Sequence, residues 1–166
     1  LEDFRFLDRL PGRKILLKGN HDYWWETAAK MNAFFAEHEI HTLQLLHNNC
    51  FYYGNYALCG TRGWFSDEET PDMAHNRKVL NREAMRLETK QPGQADPVLP
   101  ALSSFDQGYA CPEILELLER YPVKACYYGH LHGPSHKRAI EGMHAGVDFS
   151  LIAADYLRFQ LKKICE

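Results

Sequence analysis

The sequence predicts a layered α/β fold with antiparallel strands late in the chain. Three observations carry this expectation. Residues 14–17 and 123–128 are short apolar runs that read as interior strands, and each runs into a glycine-bearing polar loop. Stretches of helical spacing separate the two runs. After Gly133 the pattern shortens into strand-like pieces. With 166 residues, 45% hydrophobic and 25% charged, a single domain over residues 1–166 can bury a sizeable core without a disulfide or metal staple.

Taken in order, residues 1–10 read as helical turns, with Phe4 and Leu7 on one face and Leu10 a candidate third member. Pro11-Gly12 ends them. The strand at 14–17 stops at Gly19-Asn20-His21-Asp22, and a helix is expected over 25–39, where Ala28, Met31, Phe35 and His38 recur at three- and four-residue spacing. Cys50–Tyr53 and Tyr56–Cys59 are β-favouring runs joined by Gly54-Asn55, a two-residue turn that suits a hairpin. Further helices are expected over 74–88 and from Pro112, whose ring suits a first helical turn. Residues 91–100 carry three prolines and a glycine and read as a loop with a broken strand at Val98-Leu99. Later strands are expected at 136–140, 144–149 and 156–164.

A formal net charge of -3 gives no bulk electrostatic signal for nucleic acid. No uninterrupted apolar stretch approaches the ~20 residues a membrane span needs. Five cysteines without a CxxC pair read as buried thiols, and a cytoplasmic setting is the default.

Two loops carry chemistry. In Gly129-His130-Leu131-His132-Gly133, two histidines one residue apart can point their rings at adjacent metal positions. Gly19-Asn20-His21-Asp22 adds an amide oxygen, an imidazole and a carboxylate after the first strand. Asp22 can hold one ring nitrogen of His21 and raise its basicity, or it can bond locally within a polar turn. His38 and His41 read as surface or cap residues. His47 and His75 are weaker cleft candidates, and His144 is a better site-lining candidate than His136. Tyr23, Trp24 and Trp25 follow the first loop, where they can shape a site mouth or pack into the core.

In this order and context, GNHD and GHLHG resemble the calcineurin-like metallophosphoesterases. Gly60-Thr61-Arg62-Gly63-Trp64 and Asn81-Arg82-Glu83 are similar to a bacterial branch of that family. The resemblance runs from Leu7 nearly to the end of the chain. It implies a partial calcineurin-like four-layer sandwich, with mixed sheets flanked by helices and two divalent metals at the loop ends, manganese favoured over iron, zinc or magnesium. It further implies that Asn20 and His130 ligate one metal and His132 the other. His21 would contact the scissile phosphate and protonate the leaving group, with Asp22 supporting it, while Arg62 and Trp64 are candidate substrate contacts. Two cations would neutralise a phosphoryl group and acidify a bound water.

Three pieces of the family pattern are missing: an Asp-x-His, a Gly-Asp before GNHD, and a histidine between the two loops. Nineteen residues precede Asn20 and none supplies either motif, Asp3 and Asp8 being poor substitutes on a helix-like segment. No histidine stands between His75 and His130, and Asp106 is the candidate replacement. The Leu1 start adds the expectation of an N-terminally incomplete domain. The resulting expectation is metal-dependent hydrolysis of a phosphate mono- or diester, small or nucleotide-like, impaired by weak or incomplete metal binding. The first rival is a catalytically inactive binding or scaffold module of the same fold. The second is a single-metal site of His130, His132 and one carboxylate. Exposed strand edges favour self-association.

Overall fold

The computed structural model describes residues 1–19, 22, 24–47, 49–54, 56–60 and 123–164, together with the backbone course of 96–102. Its elements run α1 (Glu2–Arg9), β1 (Lys14–Leu16), α2 (Ala28–Glu37), β2 (Leu43–Leu45), β3 (Cys50–Tyr53), β4 (Tyr56–Cys59), β5 (Asp96–Leu102), β6 (Ala125–Tyr128), a 3-10 helix η1 (Gly133–Arg138), β7 (Gly142–His144) and β8 (Val147–Leu151). The fold is α/β with a mixed sheet, as the patterning predicts. β1 and β2 form a parallel pair, and the other six strands form one sheet ordered β3-β4-β5-β6-β8-β7. The helices expected over 74–88 and from Pro112 lie outside the described residues.

The first unit is held by α1 and α2 against β2. Phe4, Met31, Phe35, Ile40, Leu43 and Leu45 form its buried cluster, with Leu7, Leu16 and Trp25 packed at its border. Leu10, expected on the same face, is exposed because α1 has already ended. Helix α2 starts at Ala28 and not at Trp25 because Thr27 caps it, its hydroxyl accepting from the Lys30 amide. It ends in a Schellman motif. The Ile40 amide donates to the Phe35 carbonyl at 2.9 Å, the Glu39 amide donates to Ala36, and Glu39 takes φ 55° where glycine is usual. His38 is the C-cap residue, its ring edge-on to Phe34 at 4.4 Å.

Asp8 does local structural work. One carboxylate oxygen accepts from the His41 amide at 3.0 Å, the Thr42 amide at 2.7 Å and the Thr42 hydroxyl at 2.7 Å, tying the end of α1 to the entry of β2. The Thr42 hydroxyl and amide hold the Asp8 carboxyl below its ordinary range. Lys14 closes the other side by donating to the carbonyls of Leu10 and Gly12. Strand β2 has no counterpart in the sequence reading: three residues are too few to display a period, although Leu43 and Leu45 are buried around Gln44.

The six-stranded sheet is built around β6, all four of whose residues are buried. It pairs in parallel with β5 on one side and β8 on the other, the arrangement that demands an apolar strand. Ala57, Cys59, Val123, Cys126, Tyr128, Leu131, Val147, Phe149 and Leu151 cluster on one face. The expected hairpin forms with Cys50 opposite Cys59 and Tyr53 opposite Tyr56. The broken strand at Val98-Leu99 belongs to a longer β5, whose register shifts between Pro100 and Leu102, next to a residue that has no amide hydrogen to give.

Three late expectations change. Residues 136–140 are not a strand: η1 forms instead, with Pro134 in its first turn, where a missing amide hydrogen costs nothing. The strand expected over 144–149 is split by a turn at Ala145-Gly146, with φ 48° and 83°, giving the β7–β8 hairpin. Residues 156–164 are not a strand either. Residues 154–159 turn, held by Leu157 and Phe159 amides donating to Ala153 and Ala154, and Phe159 and Leu161 stand exposed.

One hydroxyl ties the sheet to its late loops. The fully buried Tyr128 donates to the Ile140 carbonyl and accepts from the Ile140 amide, both at 2.7 Å, and burial pushes its own pKa up. Replacing Tyr128 by phenylalanine strands both backbone groups. Urea unfolding of the Tyr128→Phe variant is therefore expected to show a loss of about 1–3 kcal/mol. Asp8 generates a pH prediction. Its folded pKa is depressed, so its stabilisation is full above the ordinary carboxylate range and disappears as pH falls through the folded value. Asp8→Asn should be less stable than wild type at neutral pH, and denaturation midpoints should show the difference vanishing in strong acid.

Candidate functional site

Both motif loops leave the C-terminal ends of parallel strands, β1 and β6, the position where open α/β sheets present ligand sites. The strands belong to different sheets. In the first loop Asn20, His21 and Tyr23 lie outside the described residues. Asp22 is described, and its Oδ2 accepts from the Gly19 amide at 2.6 Å while its own carbonyl accepts from Trp25. This is the polar-turn bonding open to Asp22 from sequence. Lys18 donates to the Trp25 carbonyl at 2.8 Å and fixes the exit of the turn. Of the tryptophans that follow, Trp25 packs beside the buried cluster and Trp24 stays 62% exposed, its ring against Phe4 at 5.8 Å. Arg62, Trp64, His75 and Asp106 also lie outside the described residues.

The second loop is described throughout. Leaving β6, the chain turns at His130, whose φ of 76° is left-handed and uncommon for a residue with a Cβ. Leu131 is 3% exposed and anchors the loop to the sheet core. His132 then stands at the head of η1. The Ser135 hydroxyl accepts from the His132 amide at 2.8 Å, and the Ser135 amide donates to the His132 carbonyl at 3.1 Å.

Asp155 completes this arrangement. Its Oδ1 is 2.8 Å from His132 Nδ1 and its Oδ2 accepts from the Gly133 amide at 2.9 Å. His136 Nε2 lies 3.1 Å from the same Oδ2 but is not aligned for a hydrogen bond, and among the described residues that buried nitrogen has no other hydrogen-bond partner. The Gly133 amide first, then His132, hold the Asp155 carboxyl well below the usual carboxylate range. The His136 ring also packs edge-on to Tyr156 at 5.2 Å. So His132, His136 and Asp155 come together, while His144, the better candidate from sequence, sits on β7 with Nε2 against the Glu141 carbonyl at 3.0 Å.

Sequence reasoning missed Asp155 because residues 156–164 read as a strand, which placed Asp155 at a strand start. The available signal was a carboxylate directly beyond the buried strand β8, at the same sheet end as the histidine loop.

A carboxylate on Nδ1 orients an imidazole and leaves Nε2 for another partner, which is how metal-binding histidines are commonly held. The donor set does not extend further: among the described residues no group of three histidine, cysteine, aspartate or glutamate side chains could hold a metal ion. The described residues on their own therefore do not make up a two-metal centre. Among the described residues no helix is long and apolar enough to cross a membrane.

The family model for calcineurin-like phosphoesterases matches residues 1–134 of this chain. Both motif loops fall within that span, and Asp155 and His136 fall beyond it. No curated protein and no solved structure matches the chain.

The Asp155 contacts predict a local effect. In Asp155→Asn, hydrogen exchange at the Gly133 amide should quicken by roughly tenfold, because a charge-assisted acceptor has been lost. Amides of β6 should keep their protection.

Proposed function

Since the chain belongs to the calcineurin-like phosphoesterase family, we propose that it serves as a module of that fold which binds a phosphate ester but hydrolyses it poorly or not at all. The observation that carries this reading is the use made of Asp155. A carboxylate beside the histidine loop would be the natural third ligand for His130 and His132. Instead, its oxygens are spent on the Gly133 amide and the His132 ring. Among the described residues there is no converged donor set to hold two cations together, and a family member without one would lack the acidified water on which hydrolysis depends.

What remains is an exposed histidine loop beyond β6 suited to anion recognition, with His132 two-thirds exposed; in sequence, Asn20 and His21 follow β1 of the other sheet. A small or nucleotide-like phosphoester is the ligand class that fits the family. Cytoplasmic residence and pairing through the exposed outer strands β3 and β7 belong to the same reading.

One observation favours the second reading, impaired metal-dependent hydrolysis with manganese. It is the same Asp155–His132 bond, viewed as orientation of a ligand and not as consumption of one. In that case Asn20 and His130 would serve one metal and His132 the other, His21 and Asp22 would act on the leaving group, and Arg62 and Trp64 would line the substrate.

A single variant separates the two. Manganese-supplemented hydrolysis of bis(p-nitrophenyl) phosphate should be equally low for wild type and Asp155→Asn, while calorimetry detects phosphoester binding by the wild type. The hydrolase reading requires Asp155→Asn to lose about 10–100-fold in metal affinity or activity. Such a loss from a measurable wild-type rate would overturn the module.

A further inference from the structure

The β3–β4 hairpin carries chemistry that phosphoester binding does not use. Cys50 and Cys59 are register partners across its two strands, and their sulfurs stand 2.6 Å apart. Pairing alternates along an antiparallel ladder. With Tyr53 and Tyr56 closing the two-residue turn as a hydrogen-bonded pair, Cys50 and Cys59 occupy a non-hydrogen-bonded position. There Cα atoms approach to about 4.5 Å, inside the range a disulfide spans without backbone movement. Cys59 is 1% exposed and belongs to the sheet core, whereas Cys50 is half-buried on the edge strand β3.

We propose that Cys50 and Cys59 form a reversible oxidation site, closed by a low-molecular-weight disulfide of the glutathione class. The Cys50 thiolate attacks one sulfur of the oxidant, forming a mixed disulfide and expelling one thiolate. Cys59 then gives up its proton, and its sulfur attacks the Cys50 sulfur, forming the Cys50–Cys59 bond and expelling the second thiolate. Two electrons and two protons pass from the pair to the oxidant, which leaves as two thiols. The order follows from residue burial: Cys50 is half-buried on the edge strand and Cys59 is 1% exposed in the core, so the oxidant meets Cys50 first and the internal partner reaches Cys59. Burial first, and then the neighbouring Cys50, push the Cys59 thiol well above the ordinary thiol range, so Cys59 is the resolving residue and not the attacking one.

Cys126 is the internal control. It is fully buried in the same core on β6, and burial pushes its thiol up to about 12. Oxidation at 50–59 fastens the edge strand to β4, whose last residue is Cys59 and beyond which Arg62 and Trp64 follow.

The test is a peptide map of the full chain, reduced and then equilibrated with oxidised glutathione, with remaining thiols alkylated after unfolding. The expected product is a linked Cys50–Cys59 peptide pair, two hydrogens lighter than the reduced pair, in most of the chains. Cys126 should be recovered as an alkylated thiol, and dithiothreitol should reverse the link. In Cys59→Ser the glutathione adduct should accumulate on Cys50. Recovery of Cys50 in wild type as a stable glutathione adduct, or linked to a cysteine other than Cys59, would overturn the proposal. So would recovery of both as free thiols while a cysteine-containing peptide in the same solution is fully oxidised. The wild-type map needs no variant to fold.

Discussion

One carboxylate decides what the histidine loop can do. Asp155 reaches back from the turn after β8 to the loop after β6 and takes the Gly133 amide on one oxygen and the His132 ring on the other. The two strands are parallel neighbours, so their C-terminal ends emerge side by side and the contact needs only short connections. Leu131 below and the Tyr128–Ile140 bonds beside it make the loop an extension of the sheet core. Such a carboxylate stays ionised at any physiological pH, because each of its partners favours the charge. The fold thus orients the ring of His132 and engages both oxygens of Asp155 in the loop's own hydrogen bonds. Shared architecture does not by itself carry shared chemistry, so membership of the family leaves the role of this loop to its own contacts.

Much of the scaffold was legible in the sequence because its signals are local. The hairpin at 50–59 follows from β-favouring runs around a two-residue turn, and the residues named are those that pair. The run over 123–128 reads as an interior strand, and β6 within it is buried throughout and lies inside the six-stranded sheet. Capping trimmed α2 at both ends, through Thr27 and the Glu39 turn, without altering which face is buried. Where the reading failed, the deciding contact was distant or the element too short. Residues 156–164 alternate like a strand, yet a strand also needs a neighbour, and the turn that forms instead presents Asp155 to a residue 23 positions away. β2 is only three residues long and is defined by β1 and the helices that cover it.

The candidate site was legible in kind and not in arrangement. GHLHG marked the loop, and His132 is indeed held as an oriented imidazole. His136, ranked below His144 from its position, joins His132 beside Asp155, because it lies on the 3-10 turn started by Pro134. Asp8, dismissed as a ligand on pattern alone, is committed to Thr42 and His41. The cysteines read as buried packing groups, which holds for Cys59 and Cys126; only the hairpin register shows that Cys50 and Cys59 face one another.

The central claim, that this fold is present without a working two-metal centre, is tested most directly by metal content. The chain is loaded with excess Mn²⁺, passed through a desalting column and measured by inductively coupled plasma emission. The account predicts less than one tightly held manganese per chain. Two per chain, retained through the column, would contradict it.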